Sequence, residues 1–319
     1  MTALVFGLVA NPWWGMLDAP PTSPIHTAVV LTLYVAAAAL AAGLKRGGET
    51  LARAALCVSA GLVLTFVLLV MRWVFHGTTI AADMVGPAEA CAYALVGLAT
   101  ARAFRSPRLD APDAAWLKAA APAVGWTALA WAGLIFGWLA SPWWGPFDGP
   151  TTSIWHVALI LALYLAGAAA TLLLRRNEPA FARTALCVAV GVLFAFVTLL
   201  TRFAFQGVDM RHGLDRGGLE TWTFSAVWAV FGLVVLFRAS ARKDAALRWL
   251  GLVVVLATAA KVLLFDMATL DGVVRAASFL AVGALFIAGA LVARRLNAGH
   301  KDKIDDPPVE TQDDRSPAS

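Results

Sequence analysis

Two long apolar runs end on an arginine: VLLVMR closes at Arg72 and VTLLTR at Arg202. A guanidinium so placed is either an anchor that snorkels to the headgroups or a planar fork that holds a carboxylate or phosphate. Glu89 and Glu220 each open the next apolar run after a Gly-containing connection, where the dipole of a starting helix favours a carboxylate. His26 and His156 follow Pro/Thr/Ser turns; imidazole there either caps a helix at the interface or passes a proton. In KVLLFD, Lys261 and Asp266 stand five residues apart within an apolar stretch. A lysine in the bilayer needs a partner, and Asp266, Glu220 or a carboxylate of another unit are the candidates. Asp18, Asp148 and Arg275 complete the polar set. The chain has no HExxH, GxSxG, Walker loop or paired-carboxylate signature, and histidines 26, 76, 156, 212 and 300 lack metal-ligand spacing, so no metal and no cofactor is expected.

The elements that must carry these groups are membrane helices. Hydrophobic residues make up 60% of the chain and charged ones 14%, against about 25% in soluble domains, and mean hydropathy is +0.75. Runs long enough to span, about 17–25 residues each, occur at Ile25–Leu44, Leu51–Val74, Met84–Phe104, Trp116–Ala140 and Ile154–Leu174, then at Phe181–Phe205, Glu220–Phe237, Leu247–Met267 and Gly272–Val292. A tenth run, Met1–Ala10, is too short to span; its repeat partner is Val124–Ala140, so the first helix reads as lacking its amino-terminal half. No Lys or Arg precedes that run and no cleavage-type site follows it, so a cleaved signal is not expected.

The net charge of +5 is a matter of topology, not of nucleic-acid binding. Of 25 Lys and Arg, 19 lie in alternate connections and the tail: Lys45–Arg53, Arg102–Lys118, Arg175–Arg183, Arg238–Arg248 and Arg294–Arg315. Six remain for the other side: Arg72, Arg202, Arg211, Arg216, Lys261 and Arg275. The positive-inside rule then puts the rich loops and both termini in the cytoplasm. Cys57, Cys91 and Cys187 fall inside spans without pairing or zinc spacing and read as packing residues.

A duplication organises the chain. NPWWGMLDAPPTSPIH at 11–26 and SPWWGPFDGPTTSIWH at 141–156 begin ungapped stretches, 11–77 and 141–207, with 31 identities in 67 positions. Apolar bias would not keep Trp13/Trp143, Asp18/Asp148, His26/His156 and Arg72/Arg202 in register. The unit holds four spans, and an even number returns the chain to the same side, so the copies are expected to be parallel. The tryptophan pairs read as an aromatic belt or as a stacking surface for a sugar or lipid headgroup. The expected layout is all-α and polytopic, with about ten membrane helices: a first repeat at 1–115, a second at 116–246, a partial third of two helices at 247–297, and a polar, disordered cytoplasmic tail at 298–319.

ETWTFSAVW from Glu220, LRWLGLVVVLATAAKVLLFD and ATLDGVVRAASFL, with FAFVTLLTRFAFQG at 194–207, resemble the bacterial multi-pass membrane proteins grouped as domain of unknown function 2339. The resemblance implies a polytopic inner-membrane protein built of repeated helical units. It marks Arg202, Glu220, Ser225, Trp228, Lys261, Asp266, Arg275 and Ser278 as motif positions. Family members are usually longer, and an adjacent arginine pair often ends the run where Phe203 follows Arg202 here, which implies a short member or a fragment.

Three readings of different class stay open. The first is transport or flipping of an envelope- or lipid-linked anionic solute along the outward Arg, Lys and Glu groups. The second is an enzyme that modifies envelope glycans or lipids from the outer face, with His156, Asp148 or Glu220 as acid or base. The third is a structural or assembly protein whose polar residues hold helices together. The expected partners are the bilayer and an anionic lipid or envelope glycan. What separates the readings is whether Arg202, Glu220, Lys261 and His156 converge on one cavity.

Overall fold

The computed structural model describes residues 24–43, 49–77, 85–105, 115–145, 153–177, 181–211, 218–242 and 244–266, together with 280, 283 and 287. Eight helices are seen: α1 Pro24–Gly43, α2 Glu49–His76, α3 Pro87–Ala103, α4 Ala115–Leu134, α5 Ile154–Asn177, α6 Ala182–Gln206, α7 Leu219–Arg242 and α8 Ala245–Lys261. Wider π turns, Ile135–Leu139 and Val262–Asp266, prolong α4 and α8. No strand occurs among the described residues.

Six of the helices are long and apolar enough to cross a bilayer: Arg53–His76, Ala119–Leu139, Ile154–Arg175, Ala182–Gln206, Leu219–Arg242 and Ala245–Leu264. Thus the expected ten become eight helices among the described residues, six of them of full spanning character. The runs Met1–Ala10 and Gly272–Val292 and the tail 298–319 lie outside the described residues, apart from positions 280, 283 and 287. α1 carries a shorter apolar stretch, Ala28–Leu40. α3 is shorter than its expected span, Met84–Phe104. Its 17 residues, about 26 Å at 1.5 Å per residue, are rich in alanine, and more than half of them are buried. Ala88, Ala90, Cys91, Ala94, Leu98 and Ala101 are all buried, against α4 and α5. Small side chains let neighbouring backbones approach, which is how helices associate where lipid removes the hydrophobic incentive.

The two similar stretches fold alike, as helix pairs α1–α2 and α5–α6. The main core is built from α3 to α6, with Leu129, Ile135, Phe136, Tyr164 and Phe181 among its buried members. α1 and α2 share a smaller cluster around Tyr34 and Leu69, and Ser59 Oγ donates to the Ala38 carbonyl at 3.0 Å. α7 and α8 cross closely at Gly232 and Gly251: a Cβ on Gly251 would stand 2.9 Å from the Leu236 nitrogen. Leu165, Leu233, Val253 and Phe237 face outward, as lipid-facing helices require.

Candidate functional site

α2 and α6 end by the same device. Five residues beyond each arginine, Gly77 (φ 63°) and Gly207 (φ 64°) adopt the left-handed conformation that glycine tolerates, and their N–H groups donate to Trp73 and Phe203 carbonyls. The chain then turns back and starts α3 or α7 with a glutamate in the first turn. Arginine at one helix end and glutamate at the next helix start are thereby brought face to face.

In the first cluster Arg72 Nη1 donates to both Glu89 oxygens, at 3.0 and 2.8 Å. Tyr93 Oη, one turn further along α3, donates to Glu89 Oε1 at 2.5 Å. His76, one turn beyond Arg72, puts Nε2 at 2.8 Å from Glu89 Oε2 and 2.9 Å from Arg72 Nη1. Arg72 is always a donor, so Nε2 accepts from it only when bare and donates to the carboxylate only when it carries a proton.

The second cluster repeats the pair with different company. Arg202 Nη1 donates to Glu220 Oε1 at 2.5 Å and Nε to the Met210 carbonyl at 3.0 Å. Gln206, in the place of His76, donates to Glu220 Oε2 at 2.7 Å. Trp143 lies against the guanidinium, 4.8 Å from ring centroid to Cζ, and stacks on Phe224 at 5.2 Å. Arg72 and Arg202 are only 1% and 0% exposed, and Glu89 and Glu220 1% and 4%. The snorkelling reading of both arginines is therefore corrected: their heads end in protein, on carboxylates.

The tryptophan loop owes its shape to Ser141 and Gly145. Ser141 Oγ accepts from the Trp143 and Trp144 N–H groups, and Gly145 N–H donates to the Ser141 carbonyl at 2.9 Å. A Cβ at Gly145 would stand 2.5 Å from that carbonyl, so no larger residue fits. Trp143 thus belongs to the Arg202 cluster, while Trp144 is exposed and its indole donates to the Gly137 carbonyl.

Lys261 comes beside the second cluster from α8. Its Nζ donates to Ser225 Oγ at 2.7 Å and to the Thr221 carbonyl at 3.1 Å, and lies 6.0 Å from the Trp228 ring centroid. Thr221 follows Glu220 directly, so Arg202, Glu220 and Lys261 meet at the start of α7. His156 joins neither cluster in the contacts among the described residues. It sits half-buried in the first turn of α5, where Ser153 Oγ caps its N–H at 3.2 Å. Asp18, Asp148, Arg275 and Ser278 lie outside the described residues, and of His26 and Asp266 only the helical backbone is described. Sequence reasoning passed over His76, Tyr93 and Gln206. The signal was there: each is four residues from Arg72, Glu89 or Arg202, on the same helix face.

Of the two described cavities, neither has a polar wall. The larger described cavity, about 520 Å³, lies between α2, α3 and α4 and has an apolar wall; it meets a cluster only through Tyr93. At the other end of the helices Asp244 caps α8 by accepting from the Ala246 and Leu247 N–H groups, and it pairs with Arg175 at 3.6 Å. Compared with known families, residues 1–296 match the family model described as Predicted membrane protein (DUF2339). No curated protein and no solved structure matches the chain.

Proposed function

Because the chain belongs to the DUF2339 family of predicted membrane proteins, we propose that it is a non-catalytic multi-pass scaffold of the bacterial inner membrane, held together by two Arg–Glu clamps. The tandem units run over 1–115 and 116–246, with a partial third at 247–297 and a cytoplasmic tail at 298–319. Each clamp ties the hairpin of a unit to the helix that closes it, on the side away from the basic loops.

The observation that carries this reading is the burial of both pairs, with each glutamate satisfied on both oxygens by donors of its own chain. Ionised groups withdrawn from water need such partners, and here the partners are protein. Catalysis by Glu220 has less support, because its carboxylate is held between Arg202 and Gln206. One observation favours transport as a second reading: His76 and Tyr93 give the first cluster exchangeable protons where the second has Gln206 and Phe224. An anionic lipid or glycan would then have to displace a glutamate from its arginine.

The test replaces a whole pair. In a clamp, Arg202→Ala alone costs about 3–5 kcal/mol, because Glu220 is left buried and unpaired, while Arg202→Met with Glu220→Met recovers most of it. Thermal unfolding in detergent measures both, and complementation of a deletion strain measures function. A double variant that folds and complements supports the scaffold; one that folds yet fails to complement moves the charges into ligand handling.

A further inference from the structure

The apolar cavity beneath the first cluster has a counterpart in the second unit, and the two differ. Aligned on the clamps, Leu64 and Leu68 correspond to Phe194 and Thr198 (202 − 72 = 130), and Tyr93, Gly97 and Thr100 to Phe224, Trp228 and Phe231 (220 − 89 = 131). In the second unit these positions fill their own crevice. Phe194 packs on Trp228 at 5.1 Å and on Phe231 at 5.5 Å, and the Trp228 indole donates to Thr198 Oγ1 at 3.1 Å. In the first unit Gly97 and Thr100 leave about 520 Å³ open. That volume falls within the usual range of small-molecule sites, about 300–1,000 Å³.

Leu64, Ala123, Thr127 and Trp131 are exposed at the rim, on helices that cross the bilayer, so the cavity opens toward lipid. Of its three hydroxyls, Thr100 donates to the Val96 carbonyl, Thr127 to that of Ala123 and Tyr93 to Glu89. The rest of the wall is mostly apolar. At one end Tyr93 carries the surface over to the Arg72, His76 and Glu89 cluster, where the His76 side chain is 14% exposed. An apolar slot ending on a charged, partly open cluster has the polarity of an amphiphile.

We infer that this cavity is a lipid site: one acyl chain of a bilayer phospholipid takes the place that Trp228 and Phe231 fill in the second unit, with its headgroup at the His76 end. The inference rests on the tandem arrangement proposed above and not on the clamp role. The lipid is a resident of the first unit, and the second unit is closed to it.

The experiment uses the full chain in phosphatidylethanolamine–phosphatidylglycerol vesicles, doped with a phospholipid that carries a photoactivatable diazirine midway along one acyl chain. Adducts are mapped by peptide mass spectrometry. They concentrate on α3 and α4 between Tyr93 and Thr100 and between Ala123 and Trp131, well above exposed faces of α5 and α7. Gly97→Trp copies the second unit; a Cβ at Gly97 meets only Trp131 Cδ1 at 3.9 Å, so the side chain has room to enter. That variant loses about tenfold of the groove adducts, the factor that 1.4 kcal/mol supplies, while Arg72→Met with Glu89→Met keeps those of the acyl chain. Adducts spread evenly over all outer faces, or a Gly97→Trp variant that folds and labels as the parent does, overturn the inference. Should Gly97→Trp not fold, the adduct map of the parent protein decides alone.

Discussion

At the scale of single residues, His76 and Gln206 occupy one place in two clusters and do different chemistry. An amide donates to its glutamate and cannot lose the proton; an imidazole nitrogen can either donate or accept. His76→Gln therefore reproduces an arrangement the protein already uses and should change stability by less than about 1 kcal/mol. His76→Ala strips a buried carboxylate oxygen of a partner and should cost about 1–3 kcal/mol. Chemical unfolding in a fixed detergent, monitored by far-ultraviolet dichroism, checks both; equal losses for the two variants would deny the contact between position 76 and Glu89 any part in folding. Both arginines stood out in the sequence because they recur in register, Arg72 with Arg202, on the side that is poor in basic residues. Their partners were not legible, because hydropathy carries no information about which carboxylate a guanidinium meets across a loop.

Between elements, lipid and protein interior are equally apolar, so helix association depends on close approach. The α7–α8 crossing shows what that demands. Gly251 lies against the α7 backbone, with its added Cβ 2.9 Å from the Leu236 nitrogen and 3.2 Å from the Gly232 carbonyl, whereas Gly191 on α6 has open space around it. Gly251→Val should push the helices apart at a cost of about 1–3 kcal/mol. Gly191→Ala should be neutral or stabilise by up to about 1 kcal/mol through helix propensity. Thermal shift of the purified protein separates the two; a Gly251→Val variant as stable as the parent would deny the crossing. The same equality of lipid and core explains α3. Its apolar run looked like any other span, yet Ala88, Ala90, Ala92, Ala94 and Ala101 are buried while Ala99 and Ala103 are exposed, and composition does not distinguish a face that meets protein from one that meets lipid.

For the whole molecule, the distribution of basic residues is the strongest orienting feature. The orientation proposed from it puts the 19 Lys and Arg of the alternate connections and tail on the cytoplasmic side. A fluorescent-protein fusion at the carboxyl terminus should then fluoresce, and an alkaline phosphatase fusion in the loop after Gly145 should be active; the reverse pattern would invert the molecule and carry both clamps to the cytoplasmic side. Within the bundle the two similar stretches build matching helix pairs, but their surroundings differ, as Gly97 and Trp228 illustrate.

By itself the sequence determined the membrane class, the all-helical architecture and the places of the clamping residues. Long apolar runs can satisfy their backbones in lipid only as helices, and an ungapped likeness over 67 positions keeps Trp, Asp, His and Arg in register whatever the packing. Tertiary structure alone decided that Arg72 and Arg202 turn inward onto Glu89 and Glu220, that Lys261 reaches Ser225, and that one crevice stands open while its counterpart is filled. Each of those outcomes depends on how far apart two helices lie and which faces they turn to one another. Helix periodicity specifies a face, but the partner across it is chosen by side-chain volume and by the loops that set the crossing, which no single segment encodes.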